Sequence, residues 1–334
     1  MVREQPRPVR NDVTQSAGEV LVMRHHRLQL GSHRQYYEWS KYGLWPFFMR
    51  IGARVVGEWK VIYPDGSPPP TDHEDGWRLA RYAGMDHWRD TRGGQTLGGN
   101  GPMADRSREA IRNRNRYLLG EDDVLFLTGG GMAPGGPYYL PGLNERYAFV
   151  GEGEGEGEGE GEGEGEERSE DVPHPVRLDV ARPGDELVAF RRHKIEKGSF
   201  DRFHAPLPEA AWPFLDKIGA RAIGEWRRFY PEPPAGALDT LRQGSDRRRD
   251  EHDRESARYD EAVTMTRYAS YEHWQATRNP IALGGDGPDY RAAMEAYEAR
   301  QTLTQETSVL FLQGYLFPNP PTYGPQMNER YRTL

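Results

Sequence analysis

The chain has 334 residues, enough for two domains of ordinary size, and it contains no cysteine. The lack of cysteine excludes disulfide bonds, thiolate metal sites and a cysteine nucleophile. The formal net charge of −8 is misleading, because nine glutamates and no basic residue lie within 151–167. The rest of the chain is close to neutral, which argues against a dedicated nucleic-acid-binding protein.

Neither a secretion signal nor a membrane-spanning segment is evident. Residues 1–19 contain no apolar core, so we predict a disordered tail there. No apolar run reaches the ~18 residues that a membrane-spanning helix requires. Together with the lack of cysteine, these features predict a soluble cytoplasmic protein with no nucleic-acid or membrane partner.

Two parts of the sequence carry the same series of motifs in the same order. Residues 45–64 match residues 212–231 at an offset of 167, and residues 81–92 match residues 267–278 at an offset of 186. The change of offset places a charged insertion between the second and third predicted strands of the second copy. Shorter motifs follow in both copies, namely LGGNGP or LGGDGP, VLFL and NERY. A shared order of this kind indicates an internal duplication.

The duplication predicts two similar domains in tandem, joined by an acidic linker. The linker begins with alternating glycine and glutamate, a composition that buries no apolar area and is extended by charge repulsion. The predicted organisation is a disordered tail at 1–19, a first domain at 20–150, the linker at 151–180 and a second domain at 181–334.

Residue periodicities in the first copy predict the order strand, helix, strand, strand, helix, strand. The strands are predicted at 20–30, 54–63, 77–83 and 123–128, and the helical segments at 32–50, 85–92 and 103–119. This is the order of a ferredoxin-like unit. Such a unit has helices on one face of its sheet only. We therefore expect the bare faces of the two sheets to meet within one chain, as an α+β barrel.

Three motifs that occur in both copies resemble the NIPSNAP family, within the dimeric α+β barrel superfamily. They are Arg24-x-His26 ending at Gly31, Ile51-Gly52-Ala53 to Gly57-Glu58-Trp59, and Leu79-Ala80-Arg81-Tyr82. The second copy repeats them as Arg191-x-His193, Ile218-Gly219-Ala220 to Gly224-Glu225-Trp226, and Met265-Thr266-Arg267-Tyr268. Both copies have histidine two residues after the first arginine, where the family more often has tyrosine. The resemblance implies two tandem ferredoxin-like (βαββαβ), NIPSNAP-like units that form one intrachain dimeric α+β barrel.

The resemblance also implies a class of function. Superfamily relatives include cofactor-free monooxygenases, haem proteins and enzymes of small aromatic compounds. A small-molecule-binding barrel that acts on a small aromatic or apolar compound follows as the main hypothesis, and a cofactor-free or haem-dependent monooxygenase as an alternative. The sequence itself requires no cofactor, whether metal or haem, and a homo-oligomer of barrels is compatible with it.

Alternation along the predicted strands indicates where a site would lie. We expect Leu21 and Met23 to pack on the helices, so that Arg24 and His26 point into the barrel between the sheets. A histidine beside an Arg–Glu pair can act as acid, base or metal ligand, which makes His26 and His193 the candidate catalytic residues. The predicted ligand-binding residues are Arg24, His26, Glu58, Tyr82, Arg191, His193, Glu225 and Tyr268.

A glycine precedes the Glu-Trp pair of the second strand in both copies, at Gly57 and Gly224. A glycine within a strand often marks a bulge or a close approach by another group. Alternation places Gly57 on the same face as Trp59, and Glu58 on the other face. We therefore predict that Trp59 is a core residue packed against a helix; the alternative is that a ligand approaches the backbone at the glycine.

A non-enzymatic structural or interaction protein is the alternative from another functional class. In that case side chains of the protein fill the barrel, and the Arg–Glu pairs are structural. His87 and His273, which precede tryptophans near predicted helix starts, are interpreted as structural as well. The glycine-rich stretches at 97–102 and 129–131 lack the features of a phosphate-binding loop and are interpreted as ordinary loops.

Overall fold

The computed structural model describes eight segments of the chain: 20–50, 53–82, 84–91, 101–120, 123–132, 187–231, 257–278 and 287–316. The predicted tail and linker lie outside these segments, as do the NERY motifs and most of the charged insertion. None of the helices in these segments is both long and apolar enough to cross a membrane.

The strands of the described segments form one closed antiparallel barrel. Around it, the order β3-β2-β9-β6-β8-β7-β5-β1 returns to β3 through a β1–β3 pairing, and the short strand β4 pairs with β1 at one end. The predicted α+β barrel is therefore confirmed. The strands are β1 (Val20–Gln29), β2 (Arg54–Ile62), β3 (His73–Tyr82), β4 (Leu118–Gly120), β5 (Val124–Met132), β6 (Leu187–Glu196), β7 (Arg221–Phe229), β8 (Tyr259–Tyr268) and β9 (Thr304–Leu316).

The helices follow the strands in the predicted order. In each half a π-helical turn interrupts the first helical segment, at Ser40–Leu44 and at Leu207–Ala211. The α-helices are α1 (His33–Trp39), α2 (Trp45–Arg50), α3 (Met85–Asp90), α4 (Pro102–Arg114), α5 (Phe200–His204), α6 (Trp212–Lys217), α7 (Tyr271–Ala276) and α8 (Pro288–Leu303). The two long helices, α4 and α8, each begin with proline directly after glycine, a favoured arrangement for a first helical turn.

Apolar side chains from both halves fill the interior of the barrel. Leu21 and Met23 of β1 belong to this cluster, together with Val188 and Phe190 of β6. The Trp77 ring lies 5.2 Å from the Phe190 ring of the other half. The prediction that Leu21 and Met23 pack on the helices is therefore wrong. The interior of an eight-stranded barrel is just wide enough for side chains, and a charged group there would have no water to solvate it.

A second apolar layer lies between each sheet and its helices. In the first half Val20 and Val22 of β1 pack there with Trp45, and in the second half Leu187 and Ala189 pack there with Phe214. The alternate residues of β1 and β6 are thus apolar on both faces of the sheet near the start of each strand. The residues that continue the alternation of Val20 and Leu187 along these strands also face the helices, and some of them are polar.

Glycines allow irregular pairing at two kinds of position. Pairing shifts register between Val55 and Gly57 in β2, and at the equivalent residues of β7, so the glycine accompanies a bulge in both halves. Trp59 is fully buried as predicted, but it faces the barrel interior and not a helix.

Residues 129–131 lie within β5 and not in a loop. A Cβ at Gly130 would be 2.1 Å from the carbonyl oxygen of Glu225, so only glycine fits where β5 meets β7.

Trp59→Ala should lower the free energy of unfolding by about 3–5 kcal/mol, since it empties a large volume in the barrel interior. Denaturant unfolding followed by circular dichroism measures this loss. The control is Trp39→Ala, because Trp39 is 38% exposed on α1, and its cost should stay near 0.5–1 kcal/mol, roughly that of a surface change. Equal losses in the two variants would contradict a barrel core centred on Trp59.

Candidate functional site

The predicted polar residues face the helices and not the barrel interior. Arg24 and His26 continue the alternation of Val20 and Val22, which pack beneath the helices of the first half. The corresponding residues of the second half lie beneath its own helices. The two predicted sets therefore do not face each other across a shared cavity. The expectation was wrong because the sequence shows which residues share a face but not which face turns inward.

In the first half, strand pairing brings three charged side chains into one row. Arg24 of β1 is paired with Arg78 of β3, and Arg78 is paired with Glu58 of β2. The next row contains His26, Gly76 and Lys60. Cross-strand neighbours on one face lie about 5 Å apart, so Arg24, Arg78 and Glu58 share one site. Arg78 is as buried as a core residue, with 3% of its surface exposed.

Glu58 is buried without a hydrogen bond. It is 1% exposed, and neither carboxyl oxygen has a partner within the described part of the chain. Burial raises the pKa of Glu58 to about 7, although the charges of Arg78 and Arg114 act to lower it. A carboxyl group with a pKa near neutrality can both donate and accept a proton at physiological pH, as general acid–base chemistry requires.

In the second half the equivalent glutamate is fully bonded. The two Nη atoms of Arg300 donate to the two oxygens of Glu225 at 2.6 and 3.1 Å. Thr264 Oγ1 donates at 2.9 Å, and His204 Nδ1 lies 3.0 Å from the same carboxylate. Burial would raise the pKa of Glu225, but the bonds from His204 and Arg300 outweigh it and lower the pKa. This arrangement is a closed ion pair with a structural role.

Three differences between the halves account for the contrast. At the matching offsets, the first half has Tyr37 in place of His204 and Arg78 in place of Thr264. The third difference is Ser40, the first residue of the π-helical turn, where the second half has Leu207. His204 and Thr264 both bond to Glu225, whereas the residues at these positions in the first half make no hydrogen bond to Glu58.

Ser40 also forms a hydrogen bond with Arg114. Arg114 corresponds to Arg300, and its Nη1 donates to Ser40 Oγ at 3.3 Å. The Ser40 hydroxyl in turn donates to the carbonyl oxygen of Tyr36 at 3.0 Å. A π-helical turn of this kind often occurs at functional sites. In the first half, Nη1 of Arg114 thus donates to the Ser40 hydroxyl. In the second half, Nη1 of Arg300 donates to the glutamate.

The pKa values of the two predicted catalytic histidines are both lowered. Burial, with the charges of Arg78, Arg114 and Arg24, holds the pKa of His26 well below its ordinary value. Burial and the Arg300 charge lower the pKa of His193 to about 4. His26 lies one row away from Glu58 and belongs to the site of the first half.

The predicted tyrosines lie further from the glutamates. Tyr82 is four residues along β3 from Arg78, which corresponds to roughly 13 Å of strand. Its ring is 5.8 Å from that of His87, so it belongs to the end of the layer and not to the Glu58 row. In the second half the Tyr268 hydroxyl accepts a hydrogen bond from Arg191 at 3.3 Å.

Arg78 and Arg114 belong to the site but were not predicted from the sequence. Arg78 lies on the same face as Tyr82 in the alternation of β3, which is a signal that the sequence contains. Arg114 lies in the last turn of α4, and Arg300 occupies the same place in the other copy. No local pattern shows that either arginine points toward the glutamate.

His273 has the structural role predicted for it. Its Nδ1 accepts a hydrogen bond from the backbone N–H of Ala269 at 3.1 Å, and its Nε2 donates to the carbonyl oxygen of Ile218 at 2.7 Å. Burial lowers its pKa to about 4, which keeps the ring neutral in this arrangement. His87, the matching residue, is equally buried.

The predicted histidines do not fit a haem as they are placed. The ring of Tyr36 lies 5.2 Å from that of His26, and both side chains are fully buried. His193 contacts Thr307 Oγ1 at 2.9 Å through Nδ1 and lies 5.4 Å from the Phe203 ring. A porphyrin beside either imidazole would require these side chains to move. Within the described segments, no three His, Asp or Glu side chains are grouped as metal ligands.

Comparison with protein-family models and with curated protein sequences finds no match. Among solved structures, a Lactobacillus acidophilus NCFM protein provisionally described as a monooxygenase is similar over 88% of this chain and 93% of its own, with 9% identity and a TM-score of 0.45. An anthrone oxidase-like protein covers 91% of this chain and 93% of its own, with 9% identity and a TM-score of 0.42. A chlorite dismutase variant from Candidatus Nitrospira defluvii covers 96% and 98%, with 10% identity and a TM-score of 0.37. At these scores the similarities support no functional assignment.

Glu58→Gln should change how stability depends on pH. The folded protein binds the Glu58 proton up to about pH 7, whereas the unfolded chain releases it near pH 4.5. The Glu58 contribution to the free energy of unfolding is therefore full below pH 4.5 and is lost as pH rises to 7, by about 3 kcal/mol. Relative to the unsubstituted protein, Glu58→Gln should become more stable over this range. Denaturant unfolding at a series of pH values measures the difference.

Glu225→Gln is the matched control and should show the opposite trend. The lowered pKa of Glu225 means that its contribution is present above pH 4.5 and is lost at more acidic pH. At pH 7 this variant leaves Arg300 buried beside an uncharged amide, which should cost about 3–5 kcal/mol. Neighbouring titratable and charged groups, such as His26 and the arginines, are present in each variant and in the unsubstituted protein. Their own contributions therefore appear on both sides of each comparison. The same trend with pH in both variants would contradict the contrast between the two glutamates.

Proposed function

We propose that the protein binds a small molecule, in the layer between the sheet and the helices of the first half. The observation that carries this proposal is Glu58, buried without a hydrogen-bond partner within the described segments. Leaving a buried polar group unsatisfied costs about 1–3 kcal/mol, and more for a charged group, so such groups are uncommon. A ligand that donates a hydrogen bond to Glu58 would remove this cost.

The second half supports the proposal as an internal comparison. It has a glutamate at the same strand position and an arginine at the same helix position, and there the two are joined directly. The fold therefore allows the pair to close, and residues of the first half prevent it from closing. We assign a single binding site, in the first half, and a structural role to Glu225.

The proposal also includes the origin of the two halves of the chain. The two halves are interpreted as tandem copies of one ferredoxin-like unit, related to the NIPSNAP family. The supporting observations are the repeated motifs and the strand orders 5-1-3-2 and 9-6-8-7 within the two halves. The register shift before Gly57 and before Gly224 agrees with a common origin.

A structural or interaction role without a ligand is the second candidate. The observation that favours it is the barrel interior, which side chains of the protein itself fill. In this alternative the unsatisfied Glu58 is a tolerated cost, offset by the rest of the fold. The two candidates differ in whether the native protein contains a bound molecule.

Protein purified gently from its own host should carry a small molecule that is released on denaturation. Native mass spectrometry measures the bound mass, and the absorbance spectrum shows whether the molecule is conjugated. Glu58→Leu should lose the molecule while unfolding at a higher temperature, because an apolar residue removes the unsatisfied carboxyl group. Stability gained as binding is lost is the behaviour expected of a functional residue.

Thr264→Val is the control in the second half, at the position that matches Arg78. It removes one hydrogen bond from Glu225 and should cost about 1 kcal/mol of stability. The bound mass should be unchanged in this variant. A native mass equal to that of the bare chain, or equal loss of the molecule in both variants, would favour the structural role.

A further inference from the structure

The side chains that face Glu58 from the neighbouring elements are basic. Arg24 comes from β1, Arg78 from β3 and Arg114 from α4, and all three guanidinium charges act on the adjacent His26. Arginine stays charged at any physiological pH. Glu58 is thus one acid on which the charges of Arg78 and Arg114 act directly, with Arg24 next to Arg78 in the same row. The second half has only Arg191 and Arg300 at the matching positions, because Thr264 replaces the third arginine.

Arg24 and Arg78 are like charges on directly paired residues. Like charges opposite each other on one face of a sheet destabilise it. Arg78 is also deeply buried, and its Nε and Nη1 have no hydrogen-bond partner within the described segments. An anion beside Arg78 would supply the hydrogen-bond partner that these nitrogens lack.

The shape of the donor group narrows the class of anion. A guanidinium presents two parallel N–H groups, which match the two oxygens of a carboxylate. The guanidinium of Arg78 lies 5.7 Å from the centre of the Phe48 ring, and that of Arg114 lies 5.1 Å from the Tyr36 ring. Aromatic rings of the first half therefore lie beside the charged groups and can contact an apolar body.

We propose that the site in the first half takes a carboxylate-bearing aromatic molecule, with Arg78 as the residue that binds the carboxylate. This inference rests on the proposed function and adds the class of ligand. The carboxylate replaces the partner that Arg78 lacks, and a protonated Glu58 donates its hydrogen bond to the ligand. The same ligand has no place in the second half, because the carboxylate of Glu225 already occupies Arg300 there.

Three probes of equal size test the charge preference: benzoate, benzamide and benzylamine. Isothermal titration calorimetry on the full chain should show benzoate binding at least about tenfold more tightly than benzamide, with no binding of benzylamine. Arg78→Thr, which installs the residue of the second half, should abolish the preference. Arg34→Thr, which changes an exposed arginine of α1, is the matched control and should keep it.

Arg78→Lys separates an effect on binding from an effect on folding, because lysine retains the charge but lacks the paired N–H groups. It should weaken benzoate binding while leaving the unfolding temperature close to that of the unsubstituted protein. Benzamide bound as tightly as benzoate, with both lost in Glu58→Leu, would overturn the carboxylate inference and leave the proposed function standing. Benzoate binding that persists in both Arg78 variants, or no binding of benzoate to the unsubstituted protein, would also overturn it. Failure of the proposed function itself appears separately, as a native chain without bound mass.

Discussion

Among the residues that the structure describes, sixteen fully or nearly fully buried side chains from both halves pack against each other inside the closed barrel. Trp59 and Trp226, at matching positions of β2 and β7, are among the largest of them. Because the barrel has no open edge between its eight main strands, the interior is shut off from water and must be apolar. The residues that alternate with this set then have to face the helices. The position of Arg24, His26 and Glu58 is a consequence of that packing.

The helix-facing layers solve the same electrostatic problem in two ways. In the second half, the cost of burying Glu225 is offset by direct bonds from an arginine, a threonine and a histidine. In the first half, Arg114 is bonded to Ser40, and the glutamate is left with a raised pKa. A buried ion pair contributes little net stability, but separating its members is costly. The first half therefore retains an arrangement that stability alone would not select.

Ion pairs between the halves help to offset the cost of burying Glu58 without a hydrogen bond. Asp123, at the start of β5, bonds to Arg192 of β6 at 3.4 Å and to Arg228 of β7 at 3.3 Å. Both arginines also bond to Glu261 of β8, at 2.5 and 2.9 Å. The resulting network joins the first half to three strands of the second. Such networks contribute more than isolated surface pairs, because each charge has two partners.

Much of the fold could be predicted from the sequence, because the repeat and the strand patterns are local signals. The strand order within each copy and the pairing of the two sheets follow from them. The direction of each face could not be predicted, because the first four residues of β1 are all apolar. With Val20 and Val22 on one face and Leu21 and Met23 on the other, alternation alone does not decide which set enters the barrel. Which of the two sets faces inward depends on how the strands of both halves close into one barrel.

The difference between the two glutamates was beyond prediction for another reason. It depends on residues 37, 40 and 78, which lie on three separate elements and have no sequence relationship to Glu58. Only the comparison of both halves in three dimensions shows that His204 and Thr264 bond to Glu225 and that Arg114 bonds to Ser40. The repeated Gly-Glu-Trp motif, by contrast, correctly indicated a bulge and a buried tryptophan in both copies.

A single chain with two similar halves can keep one unsatisfied site, which a symmetric dimer cannot do. In a dimer of identical chains every substitution occurs twice, so an unpaired buried carboxyl group would impose its cost on both sides of the barrel. Here the buried carboxylate of Glu225 has its partners on one side, and the shared barrel core connects that side to the other. The first half can then keep Glu58 and Arg78 as neighbours on paired strands without a hydrogen bond to the carboxyl group. The differences between the halves thus separate the closed pair around Glu225 from the residues of the proposed site.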